Sequence, residues 1–167
     1  MRKGIEIGVI IFVISVLFFL ALGLRGGWKV VDVGDQAAEF QLEDVNGKLY
    51  NLSDYQGKVI VLNFFTSWCQ PCLDEAPELE AFQQNYQDQA TLLVIDRGES
   101  KSQVAKYIQK QNSNLTYLLD FKNDVSNVYK VKGQPETIII DKNGIIREKI
   151  VGKVTMETLV EKVGKYH

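Results

Sequence analysis

The sequence predicts an α/β fold in which a mixed central sheet is flanked by helices and preceded by one N-terminal transmembrane helix. The run Val59–Phe65 has too many apolar residues for a half-exposed strand, which predicts a central strand covered on both faces. Segments with helix-like patterning alternate with such runs, as is typical of a sheet that lies between helices. An apolar stretch without any charge, residues 7–24, precedes this pattern.

Composition limits the classes of function. The 167 residues, of which 46% are hydrophobic and 24% charged, suit one globular domain with an appendage. A formal net charge of -2 provides no basic field for nucleic acid. The two cysteines and the single histidine, His167, fall short of the four ligands of a structural zinc site. We expect neither a metal nor another cofactor.

The N-terminal apolar stretch predicts a signal anchor. The eighteen residues 7–24 would span about 27 Å as a helix, close to the ~30 Å hydrocarbon core of a bilayer. Arg2 and Lys3 favour a cytoplasmic N-terminus, which would place the folded part of a single-pass protein on the extracytoplasmic side of the cell membrane. Removal of a signal peptide at Ala21-Leu22-Gly23 is the alternative. The predicted boundaries are a cytoplasmic n-region (1–6), the anchor (7–24), a tether (25–34) and one folded domain (35–167).

The first elements of the folded domain predict a β-hairpin. Alternating apolar residues over 40–42 and 48–52 flank Asn46-Gly47, a pair that tolerates positive φ. A turn over 53–58 leads into the buried strand. The segment Leu73–Tyr86 then predicts a helix, in which Pro77 removes a backbone donor and should introduce a kink.

The second half of the domain alternates strands with helices and then returns to a hairpin. The pattern predicts a buried strand (91–95), a helix from a Ser100 or Ser102 cap to about Gln111, a short strand (115–119), a short helix (123–130), a hairpin (136–140 and 145–151) and a last helix capped by Thr155.

Both cysteines lie in one motif, Trp68-Cys69-Gln70-Pro71-Cys72, at the predicted junction of a strand and a helix. The partial positive charge of a helix N-terminus lowers the pKa of a first cysteine, so Cys69 can attack a substrate disulfide and Cys72 can resolve the mixed disulfide. As a structural staple, so short a loop would contribute only about 2 kcal/mol. The spacing therefore predicts a redox-active pair.

Three stretches resemble a known family. They are residues 63–72 (NFFTSWCQPC) followed by Glu75 and Pro77, residues 98–101 (GESK) and residues 133–137 (GQPET). Together they resemble the thioredoxin fold and, more narrowly, the membrane-anchored ResA/TlpA-like thiol-disulfide oxidoreductases. The resemblance extends over about residues 34–163. The first stretch is specific for the superfamily, and the whole set indicates the narrower group.

The resemblance implies roles for further residues. Pro135 aligns with a cis-proline that faces the cysteine pair and, with Gln134 and Trp68, contacts the substrate. Glu75 follows Cys72 by three residues on the same helical face, where a carboxylate raises thiol pKa values and can exchange a proton with Cys72. Without the resemblance, an ordinary surface glutamate would be the favoured interpretation of Glu75.

Asn63 departs from the general thioredoxin pattern, which has a buried aspartate at this strand position. An amide cannot titrate, so one proton acceptor is missing and the case for Glu75 in that role is stronger. Among the aromatic residues near the motif, Trp68 is the one expected to touch a partner. The segment Arg97-Gly98-Glu99 follows a strand and can border the site, but the sequence assigns it no specific role.

The resemblance implies an extracytoplasmic reductant that takes electrons from a membrane thiol-disulfide donor. Its substrate would be a disulfide-bonded protein such as apocytochrome c, in cytochrome c maturation, and the chain is expected to be a monomer. A disulfide oxidase or isomerase of the cell envelope is also compatible with the sequence, because Gln70-Pro71 does not fix the reduction potential. The same fold could also serve a peroxidase or a non-catalytic binding module.

Overall fold

A five-stranded mixed sheet forms the centre of the computed structural model, which describes residues 11–18 and 30–166. The strands in these described residues are β1 (Gln41–Glu43), β2 (Leu49–Asn51), β3 (Val59–Phe65), β4 (Ala90–Arg97), β5 (Tyr117–Asp120), β6 (Glu136–Ile140) and β7 (Ile146–Val151). The main sheet has the order β5-β4-β3-β6-β7. Strands β3, β4 and β5 are parallel, whereas β6 is antiparallel to both β3 and β7.

The first hairpin forms as predicted, with β1 and β2 paired antiparallel in a sheet of their own. Its turn depends on Asp44, whose Oδ1 accepts the backbone N–H groups of Asn46 at 2.7 Å and Lys48 at 3.0 Å. Gly47 adopts the left-handed conformation with φ +85°. The predicted turn over 53–58 begins with a 3-10 helix, Leu52–Tyr55.

The helices are α1 (residues 11–18 in the described part of the chain), α2 (Gln70–Tyr86), α3 (Lys101–Gln111), α4 (Asp124–Val128) and α5 (Met156–Gly164). Ser100 caps α3 and Thr155 caps α5, because each side chain accepts a backbone N–H of the first turn. Helix α2 begins three residues before the predicted Leu73 and continues through Pro77.

Alternation along β3 divides the core between the two faces of the sheet. The side chains of Val59, Val61 and Phe65 pack with α2, α3 and α5. The intervening Ile60, Leu62 and Phe64 pack with α4 and with the segment that contains the first hairpin. The prediction that this strand is covered on both faces is confirmed, since every residue of β3 is buried. Asn63 occupies an odd-numbered position and therefore faces α2.

The bounds of β5 and α4 also differ from the predicted ones. The short strand was predicted over 115–119 and forms over Tyr117–Asp120, and the short helix was predicted over 123–130 and spans only Asp124–Val128. Asn123 and Lys130 have φ of +59° and +51°, left-handed conformations that lie outside a helix. These two residues therefore limit α4 on both sides.

The predicted membrane anchor, residues 7–24, lies mostly outside the described residues. Within it, residues 11–18 are helical and their side chains are exposed. None of the helices in the described part of the chain combines the length and the apolar character needed to cross a membrane. The anchor and the domain boundaries that depend on it stay predictions.

Candidate active site

The two cysteines form a disulfide where β3 ends and α2 begins. Both are buried, with 6% of Cys69 and 3% of Cys72 exposed. The carboxyl ends of the parallel strands β3 and β4 lie at the same edge of the sheet, and the antiparallel strand β6 starts there. Loops that follow β4 and precede β6 consequently meet the disulfide.

Helix α2 starts at the disulfide because Cys69 is its N-cap residue. The backbone N–H of Cys72 donates to Cys69 Sγ at 3.3 Å, and the N–H of Leu73 donates to the Cys69 carbonyl at 3.1 Å. Pro71 lies in the first turn, where its missing N–H costs no helical hydrogen bond. A thiolate at Cys69 would thus face free N–H groups and the positive end of the helix dipole.

The loop before β6 covers the disulfide. The carbonyl oxygen of Gln134 lies 3.6 Å from Cys69 Sγ, and the Gln134–Pro135 peptide bond is cis, as the resemblance implied. The Pro135 carbonyl accepts the backbone N–H of Gly152 at 2.9 Å, which ties this loop to the end of β7. The structure therefore brings Gln134 and Pro135 to the cysteine pair. Their contact with a substrate stays a prediction.

Glu75, one turn after Cys72 in α2, is buried with 1% of its surface exposed, so the interpretation as an ordinary surface glutamate is wrong. Its Oε1 accepts from Asn63 Nδ2 and its Oε2 accepts the backbone N–H of Val154 at 2.9 Å. Burial raises the pKa of Glu75 to about 7, while these two donors and the charge of Lys153 oppose the shift. A carboxyl group with a pKa near neutrality can both give and take a proton.

Asn63 connects three elements at the site. Its Nδ2 group donates to Glu75 in α2 and to Thr137 Oγ1 in β6 at 3.1 Å, from within β3. An aspartate here would bring a second buried carboxylate against Glu75. In this contact the Asn63 amide acts only as a hydrogen-bond donor. It therefore orients the Glu75 carboxylate and does not compete with it for a proton.

Two further buried acids, Asp96 and Glu99, border the site; the sequence placed Glu99 near it without a specific role and gave no role to Asp96. Glu99, 5% exposed, accepts the backbone N–H of Ser67 at 2.5 Å and the Ser67 hydroxyl at 2.6 Å. Asp96, which is fully buried, accepts the backbone N–H of Glu99 at 3.0 Å. The sequence signal for these acids is their position, because Asp96 and Glu99 lie where a buried strand ends. That strand ends at the same edge of the sheet as the strand that leads to the cysteines.

The pKa of Asp96 is raised above its ordinary value. Its burial is the main cause that raises its pKa to about 8, and the adjacent carboxylate of Glu99 and the charge of Asp120 add to the increase, against the backbone N–H of Glu99. Glu99 in this pair accepts from both donors of Ser67. Asp96 and Glu99 thus connect the end of β4 to the loop that leads into Cys69 through their hydrogen bonds with the Glu99 backbone and with Ser67.

The outer rim of the site is polar and aromatic. Trp68 is 69% exposed, and its contact with a partner stays a prediction. Arg97 Nη1 donates to Gln134 Oε1 at 2.7 Å, and Gln134 Nε2 donates to Thr66 Oγ1 at 3.4 Å. No group of three or more His, Cys, Asp and Glu side chains within residues 11–18 and 30–166 is placed to hold a metal ion.

We predict that Glu75→Gln flattens the pH dependence of stability of the oxidised protein. The pKa of Glu75 is raised on folding from 4.5 to about 7, so its stabilising contribution is present below pH 4.5 and is lost as the pH rises through 7. The free energy of unfolding of the wild type should decrease by on the order of 3 kcal/mol or less across this pH window. Urea denaturation without reductant measures this change.

The matched control is Asp88→Asn, which removes an exposed carboxylate from the turn after the same helix and should leave the pH slope unchanged. An E75Q variant with the same slope as the wild type would show that Glu75 does not hold its proton more tightly in the folded state.

Comparison with known proteins agrees with this geometry. Residues 33–149 match the AhpC/TSA family. Thiol-disulfide oxidoreductase ResA of Geobacillus thermodenitrificans (strain NG80-2) is 36% identical over 130 residues, which are 77% of this chain and 75% of that protein. ResA of Bacillus subtilis (strain 168) is 31% identical over 156 residues, 92% of this chain and 87% of that protein.

A solved structure of a thiol:disulfide interchange protein of the thioredoxin family, from Chlorobium tepidum TLS, has the same fold. It matches with a TM-score of 0.73 and 22% identity, over 82% of this chain and 99% of that one. The expected thioredoxin-like fold and the resemblance seen in the sequence are both confirmed. The chain belongs to the AhpC/TSA family and, within it, is a thioredoxin-fold thiol-disulfide oxidoreductase of the ResA type.

Proposed function

We propose that this oxidoreductase reduces disulfides in partner proteins outside the cytoplasmic membrane, with apocytochrome c during cytochrome c maturation as the leading substrate. The observation on which the proposal depends is the Cys69–Cys72 disulfide at the start of α2, with the Gln134 carbonyl 3.6 Å from Cys69 Sγ. One sulfur thus lies beside a backbone carbonyl against which an extended substrate segment can align.

The reaction begins with the reduced pair. The Cys69 thiolate attacks one sulfur of the substrate disulfide, forms a mixed disulfide and releases the other substrate sulfur as a thiolate that takes up a proton. The thiol of Cys72 then loses its proton to Glu75 and attacks Cys69 Sγ. The mixed disulfide breaks, and the second substrate sulfur leaves as a thiolate that takes up a proton from water. The Cys69–Cys72 disulfide forms, and the pair has passed two electrons to the substrate.

A membrane dithiol donor completes the cycle. It reduces the Cys69–Cys72 disulfide by the reverse exchange, and the proton held by Glu75 returns to Cys72 as its thiol forms again. The pKa of Glu75, raised to about 7 by burial, suits both directions of this transfer. No cofactor takes part in the proposed cycle.

The buried acids around the motif favour a reductant over an oxidase. A disulfide oxidant has a stabilised thiolate in its reduced form, as in DsbA. Here a carboxyl group, Glu75, follows Cys72 on the same face of α2, and ionisation of that group disfavours a neighbouring thiolate. A less stable thiolate shifts the equilibrium toward the disulfide, which lowers the reduction potential.

We predict a reduction potential for Cys69–Cys72 near or below about -250 mV, measured by equilibration with a dithiol redox buffer. Glu75→Gln should raise this potential, because the charge that opposes thiolate formation is removed, whereas Asp88→Asn, an exposed carboxylate in the turn after α2, serves as the control. A value near about -120 mV would instead identify an oxidase.

We predict that Cys72→Ala in native membranes accumulates mixed disulfides between Cys69 and the substrate, because the resolving thiol is absent. Reductant should release the trapped protein, which mass spectrometry identifies. Cys69→Ser should reduce insulin disulfides no faster than the uncatalysed reaction, and the double variant with Cys69→Ser should trap nothing. Full activity of Cys69→Ser, or complementation by a variant without either cysteine, would indicate a non-catalytic binding module.

The proposed location depends on residues 7–24. Their uncharged sequence, the preceding Arg2 and Lys3, and the helical conformation of residues 11–18 support a retained signal anchor. The folded domain would then work on the extracytoplasmic side, close to a membrane electron donor.

We predict that alkaline phosphatase fused to the C-terminus is active, since this enzyme needs export to form its own disulfides. A matched fusion that lacks residues 2–24 should be expressed but inactive. An inactive fusion of the full chain would contradict the extracytoplasmic location, and release of the active fusion from membranes would show that the anchor is removed.

A further inference from the structure

A polar groove opens beside the disulfide on the side of α4. Its lining includes Trp68, Arg97, Lys122, Asn123, Asn127 and Gln134. The groove has a volume of about 430 Å³, which is enough for one or two side chains of a bound polypeptide. We call this surface the Arg97 groove.

Cationic and neutral groups line the Arg97 groove, and no carboxylate is part of its wall in the described residues. In residues 11–18 and 30–166, neither Arg97 nor Lys122 has a carboxylate oxygen within 4.0 Å. Two charges of one sign thus lie at one surface of a protein whose net charge is -2. The groove therefore favours an anionic ligand over a neutral or cationic one.

Three of the buried acids near the groove already have other partners, whereas Asp96 accepts the Glu99 backbone N–H through one oxygen and its other oxygen has no hydrogen-bond partner among the described residues. Asp120 accepts from the backbone N–H of Val125 and from both donors of Ser126. Glu99 accepts from Ser67, and Glu136 accepts the backbone N–H of Lys132. Each of these carboxylates faces the interior or binds a nearby loop. In the described part of the protein, Arg97 and Lys122 therefore have no charged partner.

Arg97 is held in place as a preformed binding group. Its Nη1 donates to Gln134 Oε1 at 2.7 Å and its Nη2 to the Val131 carbonyl at 3.5 Å. Its Nε is buried and has no hydrogen-bond partner in the described residues. Among these residues its acceptors are neutral oxygens, and a carboxylate would give the guanidinium its first charged partner.

The position of Arg97 links the groove to the chemistry. Gln134 accepts from Arg97 through its side chain, while its backbone carbonyl lies 3.6 Å from Cys69 Sγ. Gln134 therefore lies between the Arg97 guanidinium and the reacting sulfur, Cys69 Sγ. A substrate that presents its cysteine to Cys69 would place a nearby side chain of its own in the groove.

We propose that the Arg97 groove selects substrates by an acidic side chain, aspartate or glutamate, close to the disulfide that is reduced, with Arg97 and Lys122 as the specificity-determining residues. The inference rests on the proposed function and defines its substrate class more narrowly. A carboxylate in the groove pairs with Arg97 and Lys122 and holds the substrate disulfide against Cys69, so its effect appears mainly in KM.

The test uses disulfide-bonded peptides that differ at one position next to the cysteine, which is Glu, Gln or Lys. At low ionic strength, wild-type protein should reduce the Glu peptide with about fivefold higher kcat/KM than the Gln peptide, and the Lys peptide more slowly than either. The preference should decrease as salt is added, because the groove is open to solvent.

Arg97→Gln and Lys122→Gln should each lower the Glu-to-Gln ratio of kcat/KM toward one. Lys122 is exposed, so its replacement tests the groove without disturbing the contacts of Gln134. Lys142→Gln is the matched control: it removes the same charge from an exposed residue just after β6, at the opposite end of the sheet, and should keep the wild-type ratio.

The outcomes separate this inference from the proposed function. Equal kcat/KM for the Glu and Gln peptides, with rapid reduction of both, would overturn the inference and leave the reductant proposal intact. A ratio unaffected by either groove variant would also overturn it. Failure to reduce any of the peptides would contradict the proposed function, and the inference would fail with it.

Discussion

The hydrogen bonds of Glu75 join the parts of the fold that meet at the disulfide. Its carboxylate extends from α2, accepts from Asn63 in β3, and accepts the Val154 backbone N–H shortly before α5. Asn63 also donates to Thr137 in β6. Strand, helix and C-terminal segment are thus fixed around Cys72 by one carboxyl group, whose burial opposes ionisation. The protonation state of the site and its geometry therefore depend on the same group.

The other side of the motif uses the same physical device. Glu99 accepts the backbone N–H and the hydroxyl of Ser67, and burial together with the neighbouring Glu99 raises the pKa of Asp96. Acids at the sheet edge thus surround a sulfur pair that also lies at a helix N-terminus. The helix favours a thiolate and the acids oppose it, so the redox balance of the pair is set by elements that the motif itself does not contain.

Structural features that depend on neighbouring residues in the chain were predicted well. Ser100 and Thr155 cap the helices that follow them, and both hairpins form around their Asn-Gly pairs, because capping and turn chemistry depend on neighbours in the chain. The bounds of β5 and α4 were less accurate. Asn123 and Lys130 have left-handed backbones there, and no local pattern required these conformations.

The order of amino acids was enough to identify the redox pair and its place between a strand and a helix, because the spacing of that motif is local. Pro135 was identified as the residue opposite the pair because the family pattern contains a proline there. The environment of the pair, in contrast, was set by tertiary packing. Folding buried Glu75, brought Glu99 to Ser67 across 32 residues, and joined Arg97 to Gln134 across 37. Whether an acid is solvated or buried depends on which distant segments cover it. For this reason only the folded chain showed which acids near the disulfide are buried and which groups they bind.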